Sequence, residues 1–187
     1  MLFDNLYICS NQNLIIMKRL SLLKAVTNIL LIFSKVGLFF AVPFLLIVIF
    51  MPGRIPLKIA RELFDQPADA IGVEDKLLLT TVIIGYVFYV YALHLFKRIL
   101  FLFEKNQVFH DDVIKNLYQT GKAIIIGFLI SEVPIYLYNM ISESEISFEI
   151  VADNDWLFTL GLGLFFMVLS DVFGMAKNIK EENDLTV

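Results

Sequence analysis

Three ionisable residues of this 187-residue chain lie inside long apolar runs, where a charge is costly. Glu132 stands two residues before Pro134. A proline within a helix removes one N–H, frees the carbonyl four residues back and bends the helix. Here that carbonyl belongs to Ile130. A carboxyl beside such a kink can pass a proton or hold a cation. Kept protonated, it can instead donate a hydrogen bond across a helix bundle. Tyr86, Tyr89, Tyr91, Tyr136 and Tyr138 are the nearby hydroxyls that could partner it. Lys35 and Asp171 are the other two embedded charges. Counted at 1.5 Å per residue, they sit roughly 10 Å and 8 Å inside the same membrane boundary. Opposite charges at matching depth suggest a pair tying the first run to the fourth, or two side chains that snorkel separately to the headgroups. Without a partner or water, each costs at least ~2.5 kcal/mol at mid-membrane.

No other residues form a constellation of known chemistry. His94 and His110 are the only histidines and Cys9 is the only cysteine. A disulfide within the chain and a cysteine-based metal site are therefore excluded. The His-Glu-x-x-His, phosphate-loop and Gly-x-Ser-x-Gly patterns are absent. The expectation is a protein that is not an enzyme, with no catalytic residue, no metal site and no cofactor. Gly161-Leu162-Gly163, and Gly121 with Gly127, lie in apolar helices, where small residues let helices pack closely.

The elements that must position these residues are four apolar runs, at about 28–51, 77–96, 121–142 and 156–176. Twenty residues of helix span roughly 30 Å, the thickness of the hydrocarbon core. The composition agrees: 58% of residues are hydrophobic, 18% are charged and the mean hydropathy is +0.76. The first run is too long for the apolar stretch of a cleavable signal peptide. The fold class expected is all-α: one antiparallel four-helix bundle in the membrane, over residues 28–176, with short loops. Residues 1–27 form an N-terminal segment and 177–187 a tail. Met17-Lys18-Arg19-Leu20 resembles a natural start, so residues 1–16 are either an upstream extension or part of the protein.

Four spans put both termini and the second loop on one face. That face carries nine of the lysines and arginines, against four on the other. Bases in short loops stay in the cytoplasm, so both termini are expected there. The third loop, with Glu143, Glu145, Glu149, Asp153 and Asp155 and no base, fits the outer side. In the first loop, Ile59, Ala60, Leu63 and Phe64 have the spacing of a short interfacial helix. Asp111 could cap a helix of more than 30 residues that projects into the cytoplasm before it becomes the third span. Phe101, Phe103 and Phe109 read as interfacial anchors, not as a platform for nucleic acid, so no direct nucleic-acid binding is expected.

Two motifs carry a family resemblance. One is Phe103-Glu104-Lys105-Asn106-Gln107-Val108-Phe109, followed by Val113 and Gly121; the other is the C-terminal run from Lys180 to Val187. The layout from Met17 onward resembles bacterial membrane proteins of domain-of-unknown-function family 2975. Asn106-Gln107 stands where glycine is common in that family. The resemblance implies a four-helix inner-membrane protein, often encoded beside a small helix-turn-helix regulator, and offers no catalytic residues. Three functions stay open. The first is a non-enzymatic regulatory or sensory component that meets a soluble partner through Phe103, Phe109, Asp184, Leu185 and Val187. In the bland version of that arrangement, the apolar tip of the tail folds back onto the hairpin. The second is a small proton- or cation-coupled transporter or channel using Glu132. The third is an accessory subunit of a membrane complex. The lipid bilayer is the one partner the composition itself demands, and the oligomeric state is open.

Overall fold

The structure is a computed structural model that describes residues 2–51, 72–142 and 155–185, with side chains over 17–51, 72–138 and 156–185. The first-loop helix, most of the acidic third loop, and Thr186 and Val187 lie outside the described residues. Four helices follow one another: α1 (Leu2–Phe50), α2 (Val73–Glu104), α3 (Asp111–Ser142) and α4 (Asp155–Leu185). All four are long and apolar enough to cross a membrane. The N-terminal segment is not separate from the first span, because α1 runs through both.

α2 and α3 each have 32 residues, about 48 Å of helix, which exceeds the hydrocarbon core. Lys97 on α2 and Lys122 on α3 mark where charge begins at one end. Beyond them both helices continue to the short turn that joins them. That end, which also receives the C-terminal part of α4, is called the hairpin end below. The opposite end, at Phe50, Val73, Ser142 and Asp155, is the far end.

Neighbours in sequence are neighbours in space: α1 packs on α2, α2 on α3 and α3 on α4. α3 is therefore central, with 39% of its apolar window buried, against 6% for α1. Glycines set the two closest crossings. A Cβ on Gly85 of α2 would lie 2.6 Å from Ser131 Cβ and 2.8 Å from the Gly127 carbonyl oxygen of α3. A Cβ on Gly121 of α3 would collide with the Gly163 carbonyl of α4 and sit 2.7 Å from Met167 Cγ. Side chains there would force the backbones apart, so only the absence of a Cβ permits the approach. Gly161 meets nothing within 4 Å and has no such role.

The best-packed core lies at the hairpin end. Ile99, Leu102, Val113 and Leu117 are almost wholly buried, and Phe96, Phe103, Phe166, Leu169 and Phe173 close around them. The turn itself is a Schellman motif. The N–H of Asn106 bonds to the Phe103 carbonyl, and that of Gln107 to the Leu102 carbonyl, each at 3.0 Å. Asn106 takes φ 58°, the left-handed region that glycine or asparagine tolerates best. This is the physical reason asparagine can stand here in place of glycine. α3 then starts differently from expectation. Asp111 is its first helical residue, and His110 supplies the cap: its Nδ1 accepts the Asp112 N–H at 3.2 Å. The Asp111 carboxylate is occupied elsewhere.

Hydroxyls inside the spans are satisfied locally. Thr27, Thr120 and Ser131 donate to carbonyls four residues back, and Ser170 of α4 donates across to the Ile114 carbonyl of α3 at 2.8 Å. In lipid no water replaces those bonds.

Candidate functional site

Phe128, Glu132 and Tyr136 recur every four residues on α3, which puts them on one face. α2 brings Tyr89 to that face, and α4 brings Trp156 and Thr159 from its first turn. Together they line a cleft of about 180 Å³ in the half of the bundle nearer the far end. Glu132 is ten residues from the end of α3, roughly 15 Å along the helix. Its Oε1 lies 3.2 Å from Ser131 Oγ, which is also 3.0 Å from the Gly127 carbonyl. One hydroxyl proton serves one of these acceptors at a time. Glu132 thus lies within reach of one hydroxyl of its own helix and faces a wall made mainly of aromatic rings. Ring faces attract cations, and a carboxylate supplies the matching charge. A space of this size holds a few waters or one small organic ammonium ion.

Of the five tyrosines singled out in sequence, Tyr89 and Tyr136 line this cleft. Tyr86 instead donates to the Ser34 carbonyl of α1 at 3.2 Å and ties α1 to α2. Tyr91 is exposed.

Lys35 and Asp171 are not brought together. Both are exposed, and no ion pair joins them among the described residues. The physical reason is helix order: α1 packs on α2 and α4 packs on α3, so equal depth does not make them neighbours.

The hairpin end is closed by rings and charges. Phe103 stacks on Phe173 of α4 with centroids 5.9 Å apart, and Phe109 leans on the same ring at 6.2 Å. Lys177 of α4 pairs with Asp111 at 2.6 Å and with Glu181 at 3.5 Å. Lys180 lies over the Phe109 ring at 5.7 Å. Lys24 of α1 pairs with Glu104, the last residue of α2. Of the five residues expected to meet a partner, Phe103 is taken up in internal packing, and Phe109 keeps a partly exposed edge. Asp184 and Leu185 lie exposed on the last turn of α4, with Leu185 87% accessible. α4 therefore continues outward there, and Leu185 does not fold back onto the hairpin. Val187 is outside the described residues. Phe173 and the Asp111–Lys177 pair were missed in sequence. Phe173 is one apolar residue among many in its run, and Asp111 had a plausible local use as a cap.

No curated protein and no solved structure matches this chain. The family described as protein of unknown function (DUF2975) matches residues 27–187, which take in all four apolar runs. The chain, with its four helices long and apolar enough to cross a membrane, is a member of that family.

Proposed function

We propose that this protein is a non-enzymatic regulatory or sensory component of the bacterial inner membrane, with both termini cytoplasmic and a soluble partner meeting its hairpin end. One observation supports this most. α3 runs without a break from the cleft at Glu132 to the hairpin end, where α2 and α4 are fastened to it. A change at the cleft can therefore reach the cytoplasmic surface through a single stiff element. The exposed turn of α4 at Asp184 and Leu185, beside the rim at Phe109, is the surface offered to the partner. The partner suggested by the family resemblance is a small helix-turn-helix regulator.

The test is affinity purification of the full chain from native membranes, with and without residues 183–187. Capture of one soluble protein by the parent chain, lost on deletion with unchanged thermal stability, is the expected result. Equal capture by both forms, or none by either, defeats the reading. Orientation is checked separately. A Ser144→Cys variant should react with an impermeant thiol reagent from outside, whereas the native Cys9 should be protected.

A second reading rests on the cleft itself. A single carboxylate among Tyr89, Phe128, Tyr136 and Trp156 suits a proton- or organic-cation-coupled transporter. Reconstituted vesicles would then take up tetraethylammonium in a manner abolished by Glu132→Gln. Uptake equal to that of empty vesicles removes this reading and leaves the sensory one standing.

A further inference from the structure

A second concavity, on the outer surface of the α2–α3 pair, shares no lining residue with the Glu132 cleft. It has a volume of about 450 Å³ and is lined by Phe88 and Tyr91 of α2 and by a strip of α3 from Lys115 to Ile126. We infer that this groove binds an anionic phospholipid, its phosphate held by Lys115 and Lys122 and an acyl chain laid along Phe88, Ala123 and Ile126.

Three observations support this. The first is charge. Lys115 and Lys122 are exposed, and neither makes an ion pair among the described residues. Three other bases at this end, Lys24, Arg98 and Lys177, are each paired with a carboxylate, and Lys105 and Lys180 lie over phenylalanine rings. The nearest acids on α3 are already engaged, Asp111 by Lys177 and Asp112 by Arg98. Two cations thus face one groove without an internal counter-ion. The second is spacing. Seven residues separate the lysines, two helical turns on the same face, about 10 Å along the axis. The third is polarity. From the hairpin end inward, the α3 wall runs Lys115, Tyr118, Gln119, Lys122, Ala123, Ile126. Charged and hydrogen-bonding groups occupy the wall as far as Lys122, and hydrocarbon follows. A phospholipid has the same division: a headgroup of phosphate and ester oxygens, then the acyl chain. A soluble phosphate would use the lysines but not the apolar floor. Basic grooves between helices at the membrane surface are suited to anionic headgroups.

The experiment is native mass spectrometry of the full chain in detergent, titrated with phosphatidylglycerol and, in parallel, with phosphatidylcholine. The parent should retain phosphatidylglycerol in clear preference to phosphatidylcholine. Lys115→Gln with Lys122→Gln should weaken phosphatidylglycerol binding about thirtyfold, since each base near the surface contributes about fivefold. Lys115→Arg with Lys122→Arg should retain it. Lys18→Gln with Arg19→Gln removes the same charge elsewhere and should change binding little. Melting of all variants in phosphatidylcholine nanodiscs should match the parent, because these side chains are exposed. The inference is overturned if the glutamine pair binds phosphatidylglycerol as the parent does, or if the Lys18/Arg19 control loses as much. It is also overturned if inorganic phosphate alone displaces the lipid at equal concentration, which would identify a free-phosphate site.

Discussion

At the hairpin end, Ile99, Leu102, Val113 and Leu117 leave almost no accessible surface, and Lys24 and Lys177 pair with carboxylates of neighbouring helices. At the far end, α2, α3 and α4 leave about 180 Å³ between them, with a carboxylate in the wall. The same three helices make both regions. The difference lies in side chains: branched aliphatics and stacked rings interlock at one end, whereas rigid rings beside a glutamate hold a space open at the other. One end suits transmission of force and the other suits occupancy by something small.

Four experiments sharpen or break this contrast. The largest effect should come from Gly121→Leu. Its side chain would enter the Gly163 backbone, and melting in detergent should show a loss of about 3 kcal/mol or more. Gly161→Leu, two residues from that contact, should melt as the parent does. Equal losses would mean that the crossing is not set by Gly121. Next, Leu117→Ala should cost about 3 kcal/mol by opening a cavity in the hairpin core. Leu46→Ala on α1, already half exposed, should cost within about 0.5 kcal/mol. If the two were alike, the hairpin end would not be the firmer region. Smaller still, Asn106→Val should cost about 1–2 kcal/mol, because a β-branched residue resists the left-handed region. Asn106→Gly should be neutral or slightly stabilising. The smallest stability change belongs to Glu132→Gln, which should stay within about 1 kcal/mol of the parent while removing calorimetric binding of tetraethylammonium. A large stability loss there would make Glu132 a packing residue and erase the contrast between the two ends.

Much of this architecture was legible in the residues. Apolar run lengths fix the four spans, because a helix must match the hydrocarbon thickness. The excess length of α3 follows from the helix-forming stretch between His110 and the apolar run. Gly121, Gly127 and Gly163 were identifiable as packing points, yet Gly161 has the same local sequence signature and no partner. What separates them is which face of α4 meets α3, a tertiary fact. The same limit explains Lys35 and Asp171. Depth is a one-dimensional quantity that the sequence encodes, whereas adjacency of α1 to α4 is not. Glu132 stands out in the sequence as an ionisable residue within an apolar run, beside a proline. Its surroundings are only partly legible there: Tyr89 and Tyr136 stand out as hydroxyls and Phe128 shares the Glu132 face by its spacing of four, but Trp156 and Thr159 arrive only through the crossing of α3 and α4. Lys115 reads in the sequence as a topology signal and Lys122 as a charge at the end of a span. That they share a groove depends on Phe88 and Tyr91 of a different helix.

The serial packing order has a consequence for biogenesis. Each helix meets its principal neighbour as the next segment of the chain to emerge or the one just before it. Among the described residues no extensive interface has to wait for a distant segment, so loop-closure entropy is small and assembly can keep pace with insertion. α1 enters first and contributes least burial; α3 enters third and joins both flanking pairs. A nascent chain stalled after α2 would hold one completed interface and one glycine-notched face awaiting its mate, the period when a membrane quality-control protease has the most to recognise.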